Sequence, residues 1–279
     1  MSPNEEQSAP VPFVVDGVRQ YSLHQINDLS APVKEAIYRE LLPGQLLAEY
    51  GIDPETLCDA QGHRLVTFRC PEGSGIVEVD ARPEANFPDP LLYIELCDTR
   101  LNQIEVMLFL VNDPTAERFE TDVDWAGRRT KFGTYRRNIP EEIRAMEAGL
   151  SPGQVRKGLR LSRTLVPLCE HFVQRLGHDY YLMEPLAYHN AILFERLGCN
   201  YVQGLRRMEW IDLAFQTDGV LRERLDGSTP FRHPDAWRTV RGRSWAIHDG
   251  ILDEPWHGIR MYKRVGQQAG VDTFPGGAY

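Results

Sequence analysis

The sequence lacks long hydrophobic runs, and this absence argues against a membrane protein. The longest apolar stretch extends only from Val106 to Val111, whereas a membrane-spanning helix needs about 20 apolar residues. Residues 1–12 are polar and acidic and do not show the cationic and apolar regions of a secretory signal. We therefore expect a cytoplasmic protein with no membrane partner, and we expect 1–12 to form a flexible tail.

The sequence also lacks paired cysteines. Its five cysteines are odd in number and widely spaced, and no C-x-x-C pair suggests a zinc site or thiol exchange. We interpret them as reduced core thiols. The alternative is a cysteine nucleophile, but none of them lies in a recognisable activating context. The five are Cys58, Cys70, Cys97, Cys169 and Cys199.

The sequence has fewer basic than acidic residues, with 31 Lys and Arg against 40 Asp and Glu, and its formal net charge is -9. An acidic protein repels polyanions over a Debye length, so we expect no nucleic-acid partner, and any anion site must be local. Hydrophobic residues at 42% and charged residues at 25% are ordinary globular values. The 279 residues suffice for one large domain or two modest ones.

Hydrophobic periodicity predicts a succession of helices and strands along the chain. Short helices are predicted within 22–50, followed by four antiparallel strands within 64–112, because short Val, Ile and Leu runs alternate with turn residues there. After 113–150, which contains a helix opened by Pro140, the pattern becomes helix, strand, helix, strand over 151–203. A long irregular connection, 205–255, precedes a last strand, and a flexible glycine-rich tail is predicted for 266–279.

One segment gathers positive charge before a predicted helix. Residues 154–164 contain four cations and no acid. Unpaired amides at a helix start attract phosphate, and Gly158 allows a ligand to approach the backbone closely. The alternative is that Arg156, Lys157, Arg160 and Arg163 are only the wet face of an amphipathic helix.

The order of elements after Gly158 resembles the GNAT acyltransferase superfamily over residues 151–203. The resemblance extends to Met261-Tyr262-Lys263, which is similar to the closing strand. It implies that the loop Val155-Arg156-Lys157-Gly158-Leu159-Arg160 holds the pyrophosphate of coenzyme A with main-chain amides, and that Asn190 lies near the pantetheine arm. It also implies acetyl-CoA, or another acyl-CoA, as co-substrate.

The sequence departs from the family pattern at several positions. Val155 and Arg160 replace two signature residues of the loop Q/R-x-x-G-x-G/A. Phe194 replaces the tyrosine that often protonates the departing thiolate, so Tyr188 or Tyr201 would have to do so. Pro167 lies inside the predicted helix after the loop, where we expect it to kink or restart that helix. The strand and the loop are also separated by a predicted insertion, 113–150.

Acyl transfer to an amine needs a base. Glu184, at the end of a predicted strand, is one candidate, and His189 is the other because imidazole titrates near neutral pH. Each has a structural alternative: Glu184 as an ion-pair partner, His189 as a helix N-cap and Tyr188 as a packed aromatic. The predicted catalytic residues are thus Glu184, His189 and Tyr188.

Three further patterns remain open. The first is a basic and aromatic cluster that suits single-stranded nucleic acid, the 3′-phosphate of coenzyme A, an anionic substrate or a plain exposed loop. The second is His171 and His178, whose spacing lacks a recognised metal motif, so no metal is predicted. The third is 205–255, which is either an acceptor cover, a packing element or a dimer arm. The cluster contains Trp125, Arg128, Arg129, Lys131, Phe132, Tyr135, Arg136 and Arg137.

Together these patterns predict an α+β fold: a GNAT-like mixed twisted sheet flanked by helices, with N-terminal, central and C-terminal insertions, in a single domain over 13–265. The predicted function is transfer of an acyl group, most simply acetyl, to the amine of a small molecule. The alternative is a catalytically degenerate GNAT-fold module that binds a ligand or a protein. A homodimer is possible on either hypothesis.

Overall fold

The fold is taken from a computed structural model that describes residues 10–124, 126–130 and 137–279. The predicted tail 1–12 therefore lies mostly outside the described residues. The described chain forms two compact units, and the single domain expected over 13–265 remains a prediction. Unit 1 holds the described residues up to Leu110, Arg160–Leu182 and Arg264–Gly266, and unit 2 holds Val111–Leu159, Met183–Lys263 and Gln267–Tyr279.

Unit 1 opens with a small hairpin that periodicity alone did not predict. Asp16 and Gly17 both have positive φ, 51° and 79°, as a two-residue turn between antiparallel strands requires. Three short helices follow; the first begins after Ser22, whose side chain accepts a hydrogen bond from the Gln25 amide. The elements are β1 (Val14–Val15), β2 (Val18–Arg19), α1 (Leu23–Asn27), α2 (Ala31–Tyr38) and α3 (Gly44–Glu49).

The predicted antiparallel strands of unit 1 are present. Strands β3, β4 and β5 pair antiparallel in sequence, with Val79 opposite Ile94. Alternate residues of β4 are buried, so one face of this sheet supplies the core. The strands are β3 (Val66–Arg69), β4 (Ile76–Ala81), β5 (Leu92–Asp98) and β6 (Ile104–Val111), the last of which ends in unit 2.

The helix after the charged segment is continuous. Helix α5 (Ser162–Arg175) includes Pro167, so of the two effects expected of this proline, a kink or a restart, the restart does not occur. Pro167 and Arg163 are both exposed, and the Arg163 carbonyl that loses its helical partner can be hydrated there. Helix α5 buries Leu165, Phe172 and Val173 in unit 1 and is followed by β7 (Tyr180–Met183).

Unit 2 contains helices where the sequence predicted an irregular connection. Within 205–255 the structure has three α-helices, so that expectation was wrong. Met208, Ile211 and Phe215 are buried at helical spacing, a signal that the surrounding Trp and Gly residues obscured. The elements of unit 2 are α4 (Ile139–Glu147), α6 (Tyr188–Arg196), β8 (Asn200–Gln203), α7 (Leu205–Phe215), α8 (Val220–Glu223), α9 (Val240–His248) and β9 (Arg260–Arg264), whose last residue belongs to unit 1.

Seven strands of the described chain form one mixed sheet in the order β3-β4-β5-β6-β7-β9-β8. The last strand, β9, pairs antiparallel with β8. Helices flank this sheet, so the α+β class predicted from the sequence is confirmed. Among the helices that the structure describes, none is long and apolar enough to cross a membrane.

The C-terminal segment 266–279, expected to be a flexible tail, is instead tied to unit 2 from Gln267 onward. The Thr273 amide and hydroxyl donate to Glu195 at 2.9 and 2.6 Å. The Val240 amide donates to the Ala278 carbonyl at 2.8 Å, and the Tyr279 hydroxyl donates to the His189 carbonyl at 2.9 Å. Glycine content alone could not reveal these partners, which lie far away in sequence.

Candidate functional site

The segment before α5 runs beside the region that follows β6, both within unit 2. The Phe119 amide donates to the Val155 carbonyl and the Asp113 amide donates to the Lys157 carbonyl, each at 2.8 Å. The Thr121 hydroxyl donates to the Gln154 carbonyl at 3.0 Å. The predicted insertion 113–150 therefore holds the candidate phosphate loop in place through the loop's carbonyl groups.

Three consecutive amides of this loop are left unused. In the described part of the chain, the main-chain N–H groups of Lys157, Gly158 and Leu159 donate to no main-chain carbonyl, and the same holds for Arg160, which belongs to unit 1. Amides in an irregular loop otherwise find a protein or water partner. A run of unpaired N–H groups can bind the oxygens of an anion, and phosphate is a typical ligand of such sites.

Gly158 fits closely against the end of β6. A Cβ atom at this position would lie 3.0 Å from the carbonyl oxygen of Val111, which is tighter than ordinary van der Waals contact. The glycine is therefore needed for packing as well as for the approach of a ligand to the backbone.

The four cations of the segment have different environments. The Arg156 side chain is buried, and its Nη1 donates to the Ala116 carbonyl, so it belongs to the scaffold and not to a solvated helix face. Lys157 is exposed. Arg160 and Arg163, in unit 1, are also exposed. Arg160 has φ 57°, a left-handed conformation that suits the glycine expected there by the family pattern.

Tyr188 is a packed aromatic of the unit 2 core. It is 1% exposed, and its ring meets the Trp256 ring edge-on at 6.1 Å between centroids. Burial raises the pKa of Tyr188, although the nearby Arg243 guanidinium opposes the shift. Its phenol thus stays protonated at neutral pH, but its burial favours the structural alternative over a role as general acid.

His189, in the first turn of α6, also points into the core. Its Nδ1 lies 2.9 Å from the Oγ of Ser244 on α9. Burial, with a smaller effect of His248, lowers the pKa of His189 to about 3. The ring is therefore neutral at physiological pH and a weak base. It is not a helix cap either, because the N-cap residue of α6 is Ala187.

Glu184 and Asn190 are the two predicted site residues of this region that face solvent. Glu184 is exposed directly after β7 ends at Met183. Asn190 is partly exposed in the first turn of α6. Helix α6 therefore brings Tyr188, His189 and Asn190 together in sequence but turns only Asn190 outward, so Glu184 is the more accessible of the two candidate bases.

A buried carboxylate that sequence reasoning missed lies further along α6. Glu195 is 3% exposed and accepts hydrogen bonds from Thr273 and from the Tyr201 hydroxyl. Burial raises the pKa of Glu195, and burial together with the Glu195 charge raises the pKa of Tyr201. Phe194, next to Glu195, carries no titratable proton. Glu195 is the single acid of α6, and a lone acid beside Arg196 normally indicates an exposed position, so its burial was not predicted.

A second missed group is the ion pair between Arg243 and Asp212. Arg243 is fully buried, and its Nη1 lies 2.7 Å from Asp212 Oδ1. Its guanidinium also stacks on Phe274 at 3.4 Å and on Phe215 at 5.0 Å. This arginine joins α9, α7 and the C-terminal segment, and its surroundings indicate a structural role.

Of the basic and aromatic cluster, Arg128, Arg129 and Arg137 are described, and two of them form ion pairs. Arg128 pairs with the buried Asp124 at 2.8 Å. Arg137 pairs with Glu142 and Asp249. Trp125, Lys131, Phe132, Tyr135 and Arg136 lie outside the described residues.

The histidines suggested a metal only weakly. His178, in unit 1, forms a hydrogen bond through Nε2 to the Tyr21 carbonyl at 2.9 Å. Among the residues that the structure describes, no three His, Cys, Asp or Glu side chains are grouped to hold a metal ion. The five cysteines carry free thiols, and Cys70 and Cys199 are buried.

Comparison with known proteins identifies no relative of this chain. No protein-family model matches the chain, and no curated protein or solved structure matches it significantly.

Proposed function

We propose that this protein is an acyl-CoA-dependent acyltransferase that, most simply, moves an acetyl group from acetyl-CoA to the amine of a small molecule. The observation that carries the proposal is the run of three unpaired amides at Lys157, Gly158 and Leu159. These N–H groups supply the main-chain cradle that a pyrophosphate requires. The exposed Lys157 adds a positive charge at the same place.

The order of elements supports the same proposal. The GNAT resemblance depends on a phosphate loop followed by helix, strand, helix and strand. The chain has this order in α5, β7, α6 and β8, with Gly198 at positive φ after α6. The segment similar to the closing strand, Met261-Tyr262-Lys263, lies in β9.

Coenzyme A would supply the acyl thioester, and the residues of this chain would bind it and handle protons. Lys157, Gly158 and Leu159 bind the pyrophosphate, and Asn190 contacts the pantetheine arm. Val155, Arg156 and Arg160 complete the loop, and the Arg156 side chain positions it because it donates to the Ala116 carbonyl. Because these residues bind or position coenzyme A, other side chains must determine specificity for the acceptor.

Glu184 is the base in this proposal. When an amine attacks the thioester carbonyl, its nitrogen loses a proton while the carbon–sulfur bond breaks and the thiolate leaves. An exposed carboxylate at the end of β7 can accept that proton, whereas the neutral and buried His189 is a poorer acceptor. The thiolate takes a proton from solvent or from a phenol, since Phe194 has none to give.

A binding module without catalysis is the second candidate. It is favoured by the burial of Tyr188 and His189 and by Phe194 in place of tyrosine. Such a protein would use the same loop to hold a phosphate-containing ligand and would not turn it over.

Calorimetric titration with acetyl-CoA separates these candidates. We expect micromolar binding that Lys157→Ala weakens and that the exposed control Arg69→Ala in unit 1 leaves unchanged. Release of free thiol in the presence of a panel of small amines would then establish transfer. Binding without thiol release would favour the second candidate, and absence of binding would contradict the acyltransferase proposal.

A further inference from the structure

Exposed apolar side chains of unit 2 are concentrated in one short stretch of sequence. Seven of its large hydrophobic residues are exposed among those that the structure describes, and four of them lie within 202–220. Trp210 is 47% and Leu213 68% exposed, both on α7. Val202 precedes the helix at 57% exposure and Val220 follows it at 52%. An exposed tryptophan beside aliphatic residues is typical of interaction surfaces.

The exposed face of α7 carries charge of both signs in addition to these apolar groups. Arg206, Glu209, Trp210 and Leu213 are all exposed and fall within about 100° of the helix circumference at 3.6 residues per turn. Within the described chain, neither Arg206 nor Glu209 forms an ion pair. Arg207, by contrast, is held by Glu254 at 2.9 Å and by the His257 carbonyl at 2.7 Å.

We propose that a second copy of this chain covers this face, with the two α7 helices antiparallel across a two-fold axis. An axis that passes between Arg207 and Met208 brings Arg206 of one protomer opposite Glu209 of its partner. The same axis places that guanidinium beside the partner's Trp210, where a cation–π contact forms. Both contacts occur twice because the interface is isologous.

The arrangement of charge selects a second copy over an unrelated partner. Along α7 the face presents Arg206, then Glu209, then Trp210. When a second helix runs in the opposite direction, Arg206 of each helix meets Glu209 and Trp210 of the other, so the face is complementary to itself. The face as a whole has no net charge, so two copies meet without repulsion in spite of a net charge of -9 per chain. The antiparallel pairing also opposes the two helix dipoles.

Sedimentation velocity of the full chain over a range of concentrations tests the proposal. We expect a dimer with a dissociation constant in the micromolar range, since one helix pair forms an interface of modest area. Arg206→Glu places two acids opposite each other, and Glu209→Arg places two arginines opposite each other. Each change should weaken the dimer about tenfold or more.

The double variant Arg206→Glu with Glu209→Arg restores opposite charges at the same axis, so we expect it to recover dimerisation. Both residues are exposed, and unfolding temperatures check that each variant is folded. Leu101→Glu changes an 85% exposed residue of unit 1 and serves as the control. A wild-type monomer at every concentration, or a dimer insensitive to both single reversals or not recovered by the double variant, would overturn the proposal.

Discussion

Gly158 approaches the carbonyl oxygen of Val111 so closely that an added Cβ atom would lie 3.0 Å from it. Gly158 lies within the candidate phosphate loop and Val111 is the last residue of β6, and their packing sets where the neighbouring amides lie. Because the near atom belongs to the backbone, it cannot move aside as a flexible side chain would. The loop's position is therefore coupled to the size of residue 158.

Gly158→Ala is expected to destabilise the fold by about 1 kcal/mol and to weaken acetyl-CoA binding, because the loop must shift to relieve the contact. Urea unfolding and calorimetry measure the two effects. Gly44→Ala is the matched control, since a Cβ atom there meets nothing within 4 Å and Gly44 begins helix α3. An alanine variant that binds acetyl-CoA as tightly as the wild type would contradict this prediction.

His189 is expected to make the fold sensitive to mild acid. Its pKa is about 3 in the folded chain against 6.5 without burial, so the unfolded state binds the extra proton as the pH falls below 6.5. Stability is then full above that value and is lost progressively toward pH 3, with a loss of about 2 kcal/mol between pH 7.5 and pH 5.

His189→Gln keeps a group able to bond the Ser244 hydroxyl but cannot titrate. Its free energy of unfolding, measured in urea at pH 7.5 and at pH 5, should fall by about 2 kcal/mol less than that of the wild type. Equal pH dependence in the two proteins would show that the pKa of His189 is the same in the folded and the unfolded chain.

The Arg137–Glu142 pair is expected to contribute strongly to stability. Burial raises the pKa of Glu142, but hydrogen bonds from His248 and Arg137 outweigh it and lower the pKa. Arg137→Met leaves this buried carboxylate with His248 alone, at a cost of about 3 kcal/mol. Arg144→Met, on the helix α4 that carries Glu142, removes exposed ion pairs and should cost less than about 1 kcal/mol. Similar unfolding midpoints for the two variants would contradict this ranking.

Glu184→Gln is expected to slow amine acylation by about a hundredfold or more, the usual contribution of a general base. Its affinity for acetyl-CoA should not change, because the carboxylate takes no part in the phosphate loop. Glu223→Gln, another exposed acid of unit 2, is the control. Unchanged turnover in the Glu184 variant would assign the base to another residue.

Local patterns predicted the regular elements well. The alternation in β4 and the apolar spacing of α5 each reflect one buried face, which sequence periodicity reports directly. The same reasoning failed for α7, where Trp210 and Leu213 are apolar but exposed, so the pattern of burial was blurred. The restart expected at Pro167 does not occur, because a helix can continue through a proline where the freed carbonyl reaches water.

The site was predictable only in part. Gly158 and the charged segment were visible in the sequence, because residue type and order are local properties. The contacts of each side chain were not visible in the sequence. Arg156 turns inward to the Ala116 carbonyl, and His189 is buried against Ser244. Both outcomes depend on residues about 40 and 55 positions away, and one sequence carries no signal for such pairings.

The central claim is that the amides of Lys157, Gly158 and Leu159 hold the pyrophosphate of coenzyme A. Amide chemical shifts of the ¹⁵N-labelled protein, followed during titration with acetyl-CoA, report on these N–H groups one by one. We expect the three resonances to shift downfield and saturate together, while titration with pantetheine, which lacks the pyrophosphate, leaves them in place. Three unmoved resonances at saturating acetyl-CoA would contradict the account.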